Sequence, residues 1–227
     1  ALRPVQSRVI GRLLGLDGPA GDALLVMPTG GGKSLCYQLP GLVLAERNPE
    51  APGVTLVLSP LIALMEDQVA ALKQRGVRAA YINSTLARTQ REKRHRALEA
   101  GAYEMIYATP ERMDKPGFRA ALDRVPGGVN LLAIDEAHCI SEWGHDLRPA
   151  YARVGAFRRE LGSPRTIALT ATATAEVRDD IRTVLCADER SMPLFAAGLD
   201  RPNLELRAHE MWSDDEVIDT VVRTARD

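Results

Sequence analysis

Aromatic side chains, cysteines and net charge are all scarce in this chain of 227 residues, and each scarcity excludes something. The cysteines, Cys36, Cys139 and Cys186, are far apart and odd in number. They form neither a zinc-ligand spacing nor a disulfide framework, which points to a reducing cytosol. A formal net charge of −1 provides no overall field for an anionic polymer, so any nucleic-acid contact must be local. No apolar run approaches the roughly 18 residues of a membrane span, and no signal peptide is visible. Phe, Trp and Tyr together make up 4% of the chain, so an aromatic in a polar setting carries information. What is left is the make-up of a soluble globular protein, 45% hydrophobic and 26% charged, long enough for one large domain or one and a half.

Short apolar runs alternate with helical stretches, the pattern of a parallel sheet with crossover helices. Strands are expected at Ala23–Met27, Val54–Leu58, Ala79–Ile82, Met105–Ala108, Leu131–Ile134, Thr166–Leu169 and Pro193–Ala196. Helices are expected at Ser34–Glu46, Leu61–Arg75, Gln90–Ala100, Pro149–Leu161 and Ala175–Leu185. Several strands are apolar throughout, as strands covered on both faces are. Thr89-x-x-Glu92 reads as a capping box with Gly101 as the stop, and Gly162-Ser163-Pro164 ends the fourth helix. The expected fold is α/β, a mostly parallel sheet with helices on both faces in a three-layer sandwich, over residues 1–200. Residues 201–227 leave that rhythm and read as a linker running into an acidic-headed helix near Asp214–Thr224.

In such sheets ligands gather at the carboxyl ends of the strands. Each polar cluster of this sequence follows a strand: Thr29–Ser34, Ser59-Pro60-Leu61, Asn83-Ser84, Thr109-Pro110-Glu111-Arg112, Asp135-Glu136-Ala137-His138 and Thr170-Ala171-Thr172. The first is the most specific. An apolar run, Leu24-Leu25-Val26, enters Met27-Pro28-Thr29-Gly30-Gly31-Gly32-Lys33-Ser34-Leu35, and a helical pattern follows. Backbone N–H groups that converge on one anion favour glycine, and the helix start adds its own unpaired N–H groups and positive dipole end. Lys33 can reach outer phosphates and the Ser34 hydroxyl can ligate Mg²⁺. The general phosphate-loop pattern has Gly where this chain has Met27.

Asp135 and Glu136 follow the fifth strand. One carboxylate there can hold Mg²⁺ through its water shell and the other can deprotonate an attacking water; alternatively, two acids simply favour a helix N-terminus. His138 reads as a hinge between nucleotide and a second site, or as a hydrogen-bonded surface histidine. Trp143, with Arg148 nearby, sits among glycine and polar residues, as a base-stacking platform with a phosphate contact would. Trp143 and Tyr151 plugging the loop into the core is the alternative. Arg88, Arg91, Lys93, Arg94 and Arg96 read as a solvated helix face, and Trp212 as a packing anchor. Gln6, three residues after Arg3, carries a planar amide able to pair with adenine.

Taken together, these clusters resemble the first RecA-like motor domain of the superfamily 2 DNA helicases, and specifically the RecQ family, over about Leu2 to Leu204. Leu2-Arg3-Pro4-Val5-Gln6 resembles the family's adenine-reading motif. Met27–Gln38 resembles motif I, Leu58–Gln68 motif Ia, Thr109–Arg112 motif Ib, Asp135–Ser141 motif II and Ala168–Ala173 motif III. Trp143-Gly144-His145-Asp146-Leu147-Arg148-Pro149-x-Tyr151 is similar to the aromatic-rich loop of RecQ proteins, and Arg201-Pro202-Asn203-Leu204 to the family's exit toward its second motor domain.

The resemblance implies a RecA-like P-loop fold and an ATP-dependent DNA helicase of 3′–5′ polarity, with ATP and Mg²⁺ as cofactors. It implies adenine recognition by Arg3 and Gln6, phosphate and metal binding by Met27–Leu35, and Lys33, Asp135 and Glu136 as catalytic residues. Ser34 and Asp135 would hold the metal. Pro60, Leu61, Asn83, Thr109, Pro110, Trp143 and Arg148 would meet nucleic acid, and His138, Thr170 and Thr172 would couple hydrolysis to movement. The implied partners are single-stranded DNA, duplex junctions and a second RecA-like domain of the same parent chain; the implied location is cytoplasmic, or nuclear in a eukaryote. No Gln-x-x-Gly-Arg-x-x-Arg string, the family's arginine-finger motif, occurs here. The expectation is therefore an excised first motor domain, monomeric and feebly active alone. A nucleotide-gated switch and a duplex translocase without strand separation are the competing readings.

Overall fold

The computed structural model describes residues 1–141, 149–186, 192–196, 208 and 210–224. Its frame is a sheet of seven strands, β1 (Ala23–Val26), β2 (Val54–Leu58), β3 (Ala79–Ile82), β4 (Met105–Ala108), β5 (Val129–Ile134), β6 (Arg165–Thr170) and β7 (Leu194–Ala196). All neighbours are parallel, in the order β3-β4-β2-β5-β6-β1-β7. The strands are apolar at nearly every position because both faces are covered. Leu24, Leu56, Leu132 and Ala168 pack into one core, and Leu25, Val57, Ala133 and Leu169, one residue on, into the other.

Helices α1 (Pro4–Leu14), α2 (Leu35–Glu46) and α3 (Ile62–Gln74) supply the second core. Helices α4 (Arg88–Glu99), α5 (Pro116–Asp123), α6 (Val154–Glu160) and α7 (Ala175–Leu185) supply the first. The three-layer expectation is met. α1 buries Val5, Val9, Ile10, Leu13 and Leu14, one stripe at helical spacing, and ends at Gly15 in the left-handed region, φ 69°. α7 opens on Thr174, whose hydroxyl accepts from Val177 N–H, and buries Val177, Ile181 and Leu185. α2 lies so close to β2 that a Cβ on Gly41 would come within 2.4 Å of Thr55 Oγ1.

Several local expectations need correction. α4 begins at Arg88, and its cap, Ala87, makes no side-chain bond. Glu92 does not close a capping box with Thr89; it pairs with Arg88 one turn back at 2.8 Å. The expected helix Pro149–Leu161 is split into a 3₁₀ turn (Tyr151–Arg153) and α6. Trp212 is no packing anchor: it is 87% exposed, ahead of an eighth helix, α8 (Asp214–Thr224), that buries none of its residues. α5 has no counterpart among the expected elements, being one amphipathic stretch of eight residues that buries Phe118, Ala121 and Leu122. The α4 arginines are only partly a solvated face, since Arg94 stacks over Tyr81, 4.3 Å from the ring centre, and donates to the Tyr81 carbonyl.

At the amino ends of β1 and β6 a buried ion pair ties the layers. Arg158 of α6 donates to Asp22 Oδ2 at 2.6 Å, and Asp22 Oδ1 accepts from Thr166 N–H at 2.8 Å. Arg158 also donates to the carbonyls of Pro164 and Leu185. Removing one member of such a pair leaves the other charge in a low-dielectric interior. Asp22→Ala is expected to lower the unfolding free energy by about 3–5 kcal/mol in urea titration, and Asp22→Ala combined with Arg158→Met by less than the sum of the single changes.

Candidate functional site

The phosphate-binding turn joins β1 to α2. Met27 N–H still donates to the Thr170 carbonyl of β6 at 3.0 Å, so the chain leaves the sheet anchored. Gly30 and Gly32 then take φ of 76° and 86°, which glycine adopts without a Cβ clash. The Met27 side chain lies under the turn; a Cβ on Gly31 would come within 2.9 Å of its Cγ. Lys33 Nζ donates to the Met27 carbonyl at 3.1 Å. Gln6, buried on α1, is bound to the same turn. Its Oε1 accepts from Arg3 N–H at 2.8 Å, and its Nε2 donates to the Gly32 carbonyl at 3.2 Å and the Gly31 carbonyl at 3.4 Å. Pairing of Gln6 with adenine requires these bonds to exchange.

Two strands away, β5 delivers Asp135 and Glu136 to the same edge. Asp135 N–H donates to the Leu58 carbonyl at 2.8 Å, and Ser59 Oγ donates to Asp135 Oδ2 at 3.4 Å. Burial, reinforced by the Glu136 charge, pushes the Asp135 pKa up to about 6. A buried carboxylate held near neutrality favours a neighbouring cation. Ser34 Oγ and an Asp135 oxygen are hard donors of the kind Mg²⁺ takes, with waters and phosphate oxygens filling its remaining places. No cluster of three or more His, Cys, Asp or Glu able to hold a metal exists among the described residues.

Glu136 sits in the left-handed region, φ 49° and ψ 46°, a conformation that costs a non-glycine residue about 1–3 kcal/mol. It turns the chain into a 3₁₀ turn (Ala137–Ile140) and brings His138 back beside its own carboxylate. His138 Nδ1 lies 3.3 Å from Glu136 Oε2 and 3.1 Å from Thr170 Oγ1. The Thr170 hydroxyl gives its single proton to the Thr172 carbonyl at 2.8 Å and accepts from Thr172 N–H at 3.2 Å. Thr170 Oγ1 therefore accepts from His138, which puts a proton on Nδ1. Hydrogen bonding to Cys139 and to Glu136 raises the His138 pKa to about 10. The reciprocal bond lowers that of Glu136, so this carboxylate is ionised and able to accept a proton.

The other residues singled out in the sequence fare differently. Leu61 is 45% exposed at the edge of the loop after β2. Pro60, Asn83, Thr109 and Pro110 are buried. Asn83 Oδ1 accepts from Thr85 N–H and Oγ1 and shapes its own turn, and Thr109 and Pro110 open the 3₁₀ turn Pro110–Asp114. Tyr151 is a core plug, fully buried, with its hydroxyl donating to the Asp135 carbonyl at 2.9 Å. Trp143 and Arg148 lie outside the described residues. Sequence reasoning passed over Gln68 and Tyr107, whose polar groups stand behind Ser34; a glutamine on an amphipathic helix and a tyrosine in a buried strand give no signal of their own.

Comparison with known proteins identifies the family: its sequence pattern matches residues 3–181. The chain belongs to the DEAD/DEAH box helicases. Within that family it is 45% identical over 202 residues to the ATP-dependent DNA helicase RecQ of Bacillus subtilis (strain 168), a match covering 88% of this chain and 32% of the relative. It is 40% identical over 207 residues to the ATP-dependent DNA helicase Q1 of Mus musculus, covering 88% and 31%. This helicase motor domain thus spans about a third of the length of the relatives it matches. Its fold is that of solved helicases. The Hef helicase domain of Pyrococcus furiosus aligns with a TM-score of 0.63 at 19% identity, over 88% of this chain and 39% of that one. The DUF1998 helicase MrfA bound to DNA aligns with 0.65 at 20% identity, over 86% and 26%. The RecA-like expectation for the fold is met.

The linkage sign at His138 follows from its raised pKa. The folded domain holds this proton more tightly than the unfolded chain, so the stabilisation is complete below pH 6.5 and is lost as pH rises through about 10. In an NMR titration the His138 ring is expected to stay charged through pH 8. In Glu136→Gln its midpoint should fall toward the ordinary value; an unchanged midpoint would show that Glu136 does not hold the proton.

Proposed function

We propose that residues 1–200 are the first RecA-like motor domain of an ATP-driven DNA helicase of the RecQ type, unwinding with 3′–5′ polarity, and that residues 201–227 lead toward a second motor domain. The observation that carries this reading is a convergence. Lys33, Asp135, Glu136 and Thr170 stand at the carboxyl ends of β1, β5 and β6, with His138 bonded to both Glu136 and Thr170. The 45% identity to a RecQ helicase supports the choice of DNA unwinding among motor activities.

In this reading the ligand is Mg·ATP. Arg3 and Gln6 meet the adenine; the backbone of Met27, Pro28, Thr29, Gly30, Gly31, Gly32 and Leu35 wraps the phosphates, with Lys33 on the outer ones. Ser34 and Asp135 would hold Mg²⁺, which would neutralise phosphate charge. Glu136 accepts a proton from the attacking water. A change in charge at Glu136 alters its hold on His138, and through it on Thr170 and Thr172, so the state of the nucleotide reaches β6. Single-stranded DNA crosses the same edge: Trp143 stacks a base, Arg148 meets a phosphate, and Leu61 lies exposed beside the strand. Pro60, Asn83, Thr109 and Pro110 present backbone and shape the path. Duplex junctions are the substrate of the whole motor. The second domain supplies an arginine to the transition state, an effect of roughly 10³–10⁵ in rate, so this domain alone turns over poorly. The site of action is wherever DNA is handled, cytoplasmic in a bacterium.

Three variants test the reading. Lys33→Ala should abolish binding of a fluorescent ATP analogue to this chain. Glu136→Gln should leave binding intact and, in a longer protein carrying the second motor domain, cut turnover by roughly 10²–10⁴-fold. Trp143→Ala should weaken single-stranded DNA binding by about 1–3 kcal/mol in a filter assay. Equal retention of single strand, duplex and RNA by the unchanged protein would remove the unwinding assignment.

A further inference from the structure

The Ser34 side chain, at the end of the phosphate turn, is reached from deep within the fold. Gln68, in the middle of α3, donates from Nε2 to Ser34 Oγ at 3.1 Å. The other end of the same amide is crowded. Gln68 Oε1 accepts from Tyr37 Oη at 2.7 Å, from Tyr107 Oη at 3.1 Å and from Gln38 Nε2 at 3.2 Å. Gln38 Nε2 also donates to Tyr107 Oη at 3.2 Å, and the two phenol oxygens lie 3.3 Å apart. Tyr37 is 1% exposed and so is Tyr107.

In this arrangement three donors meet the amide oxygen, Gln68 Oε1, and the Gln68 NH₂ faces Ser34 Oγ. That bond occupies one of the two lone pairs on Ser34 Oγ. The second lone pair is left for a cation. The Ser34 hydroxyl also bonds the Tyr37 side chain, so Gln68 and Tyr37 together orient it.

We infer that Gln68 is a positioning residue for the metal-binding hydroxyl of Ser34, held in its working orientation by Tyr37, Gln38 and Tyr107. This rests on the reading of Ser34 as a Mg²⁺ ligand in a nucleotide site. It adds a second connection between that site and the rest of the domain, separate from the Glu136–His138–Thr170 chain. α3 begins one residue after the exposed Leu61, and β4 ends one residue before Thr109. A shift of either element reaches Ser34 through one amide, and by reciprocity a bound metal restrains both.

The test is nucleotide affinity of this chain with and without Mg²⁺, using a fluorescent, non-hydrolysable ATP analogue, for the unchanged protein, Gln68→Met, Ser34→Ala and the pair. The ratio of the two affinities isolates the metal-dependent part. Gln68→Met is expected to cut the Mg²⁺-dependent gain roughly 10-fold, as loss of a hydrogen-bond partner behind a metal ligand does, with metal-free affinity within about twofold. Gln68→Met added to Ser34→Ala should cost nothing more. Tyr107→Phe, which keeps the ring and removes one donor, should give a smaller loss of the same kind. An undiminished Mg²⁺-dependent gain in Gln68→Met would overturn the inference. So would equal losses with and without metal, the mark of a packing defect. If the unchanged protein gains no affinity from Mg²⁺, or if Lys33→Ala binds as well as it does, the nucleotide reading itself falls.

Discussion

Everything at the candidate site depends on the pairing of β6 between β5 and β1. Parallel pairing in register sets Val26 opposite Thr170 and Ala168 opposite Ile134, so three carboxyl ends finish almost level. The phosphate turn, the Asp135-Glu136 pair and Thr170 are thereby placed side by side although up to 141 residues separate Thr29 from Thr170 in the chain. The hydrophobic effect drives this arrangement without regard to chemistry: strands apolar on both faces can be covered only by a layer of helices on each side. The polar residues are left at the one edge where loops of different length can lie.

Within that frame, the details of charge are set by burial. Burial and the Glu136 charge outweigh the pull of Lys33 on Asp135, and its pKa rises to about 6. Glu136, half-buried and strained into the left-handed region, has His138 within 3.3 Å, and its pKa falls. Two adjacent carboxylates thus take opposite characters, one suited to a metal and one to a proton. The strained turn at Glu136 produces the difference, because it folds His138 back onto its neighbour two residues earlier.

Much of this was legible in the sequence. Continuous apolar runs located all seven strands to within two residues, and turn residues such as Gly101 and Gly162, at φ 67° and 79°, ended helices where expected. Local punctuation was less reliable where a side chain had a stronger partner available. Glu92 took Arg88 in place of a capping box. α5 escaped notice because eight residues give too little periodicity to stand out. Trp212 looked like an anchor on composition alone and is instead exposed.

The sequence by itself determined the chemistry at hand: a glycine turn ending in Lys33-Ser34, an Asp135-Glu136 pair at a strand end, and Thr170 after the sixth strand. These are local facts, fixed by residue type and spacing along the backbone. Only the tertiary structure decided which polar groups face one another. That Gln6 is tied to the turn, that His138 Nδ1 donates to Thr170, and that Gln68 reaches Ser34 all follow from contacts across layers. Such contacts depend on the order in which strands pair and on how closely helices approach them, and no run of neighbouring residues encodes either.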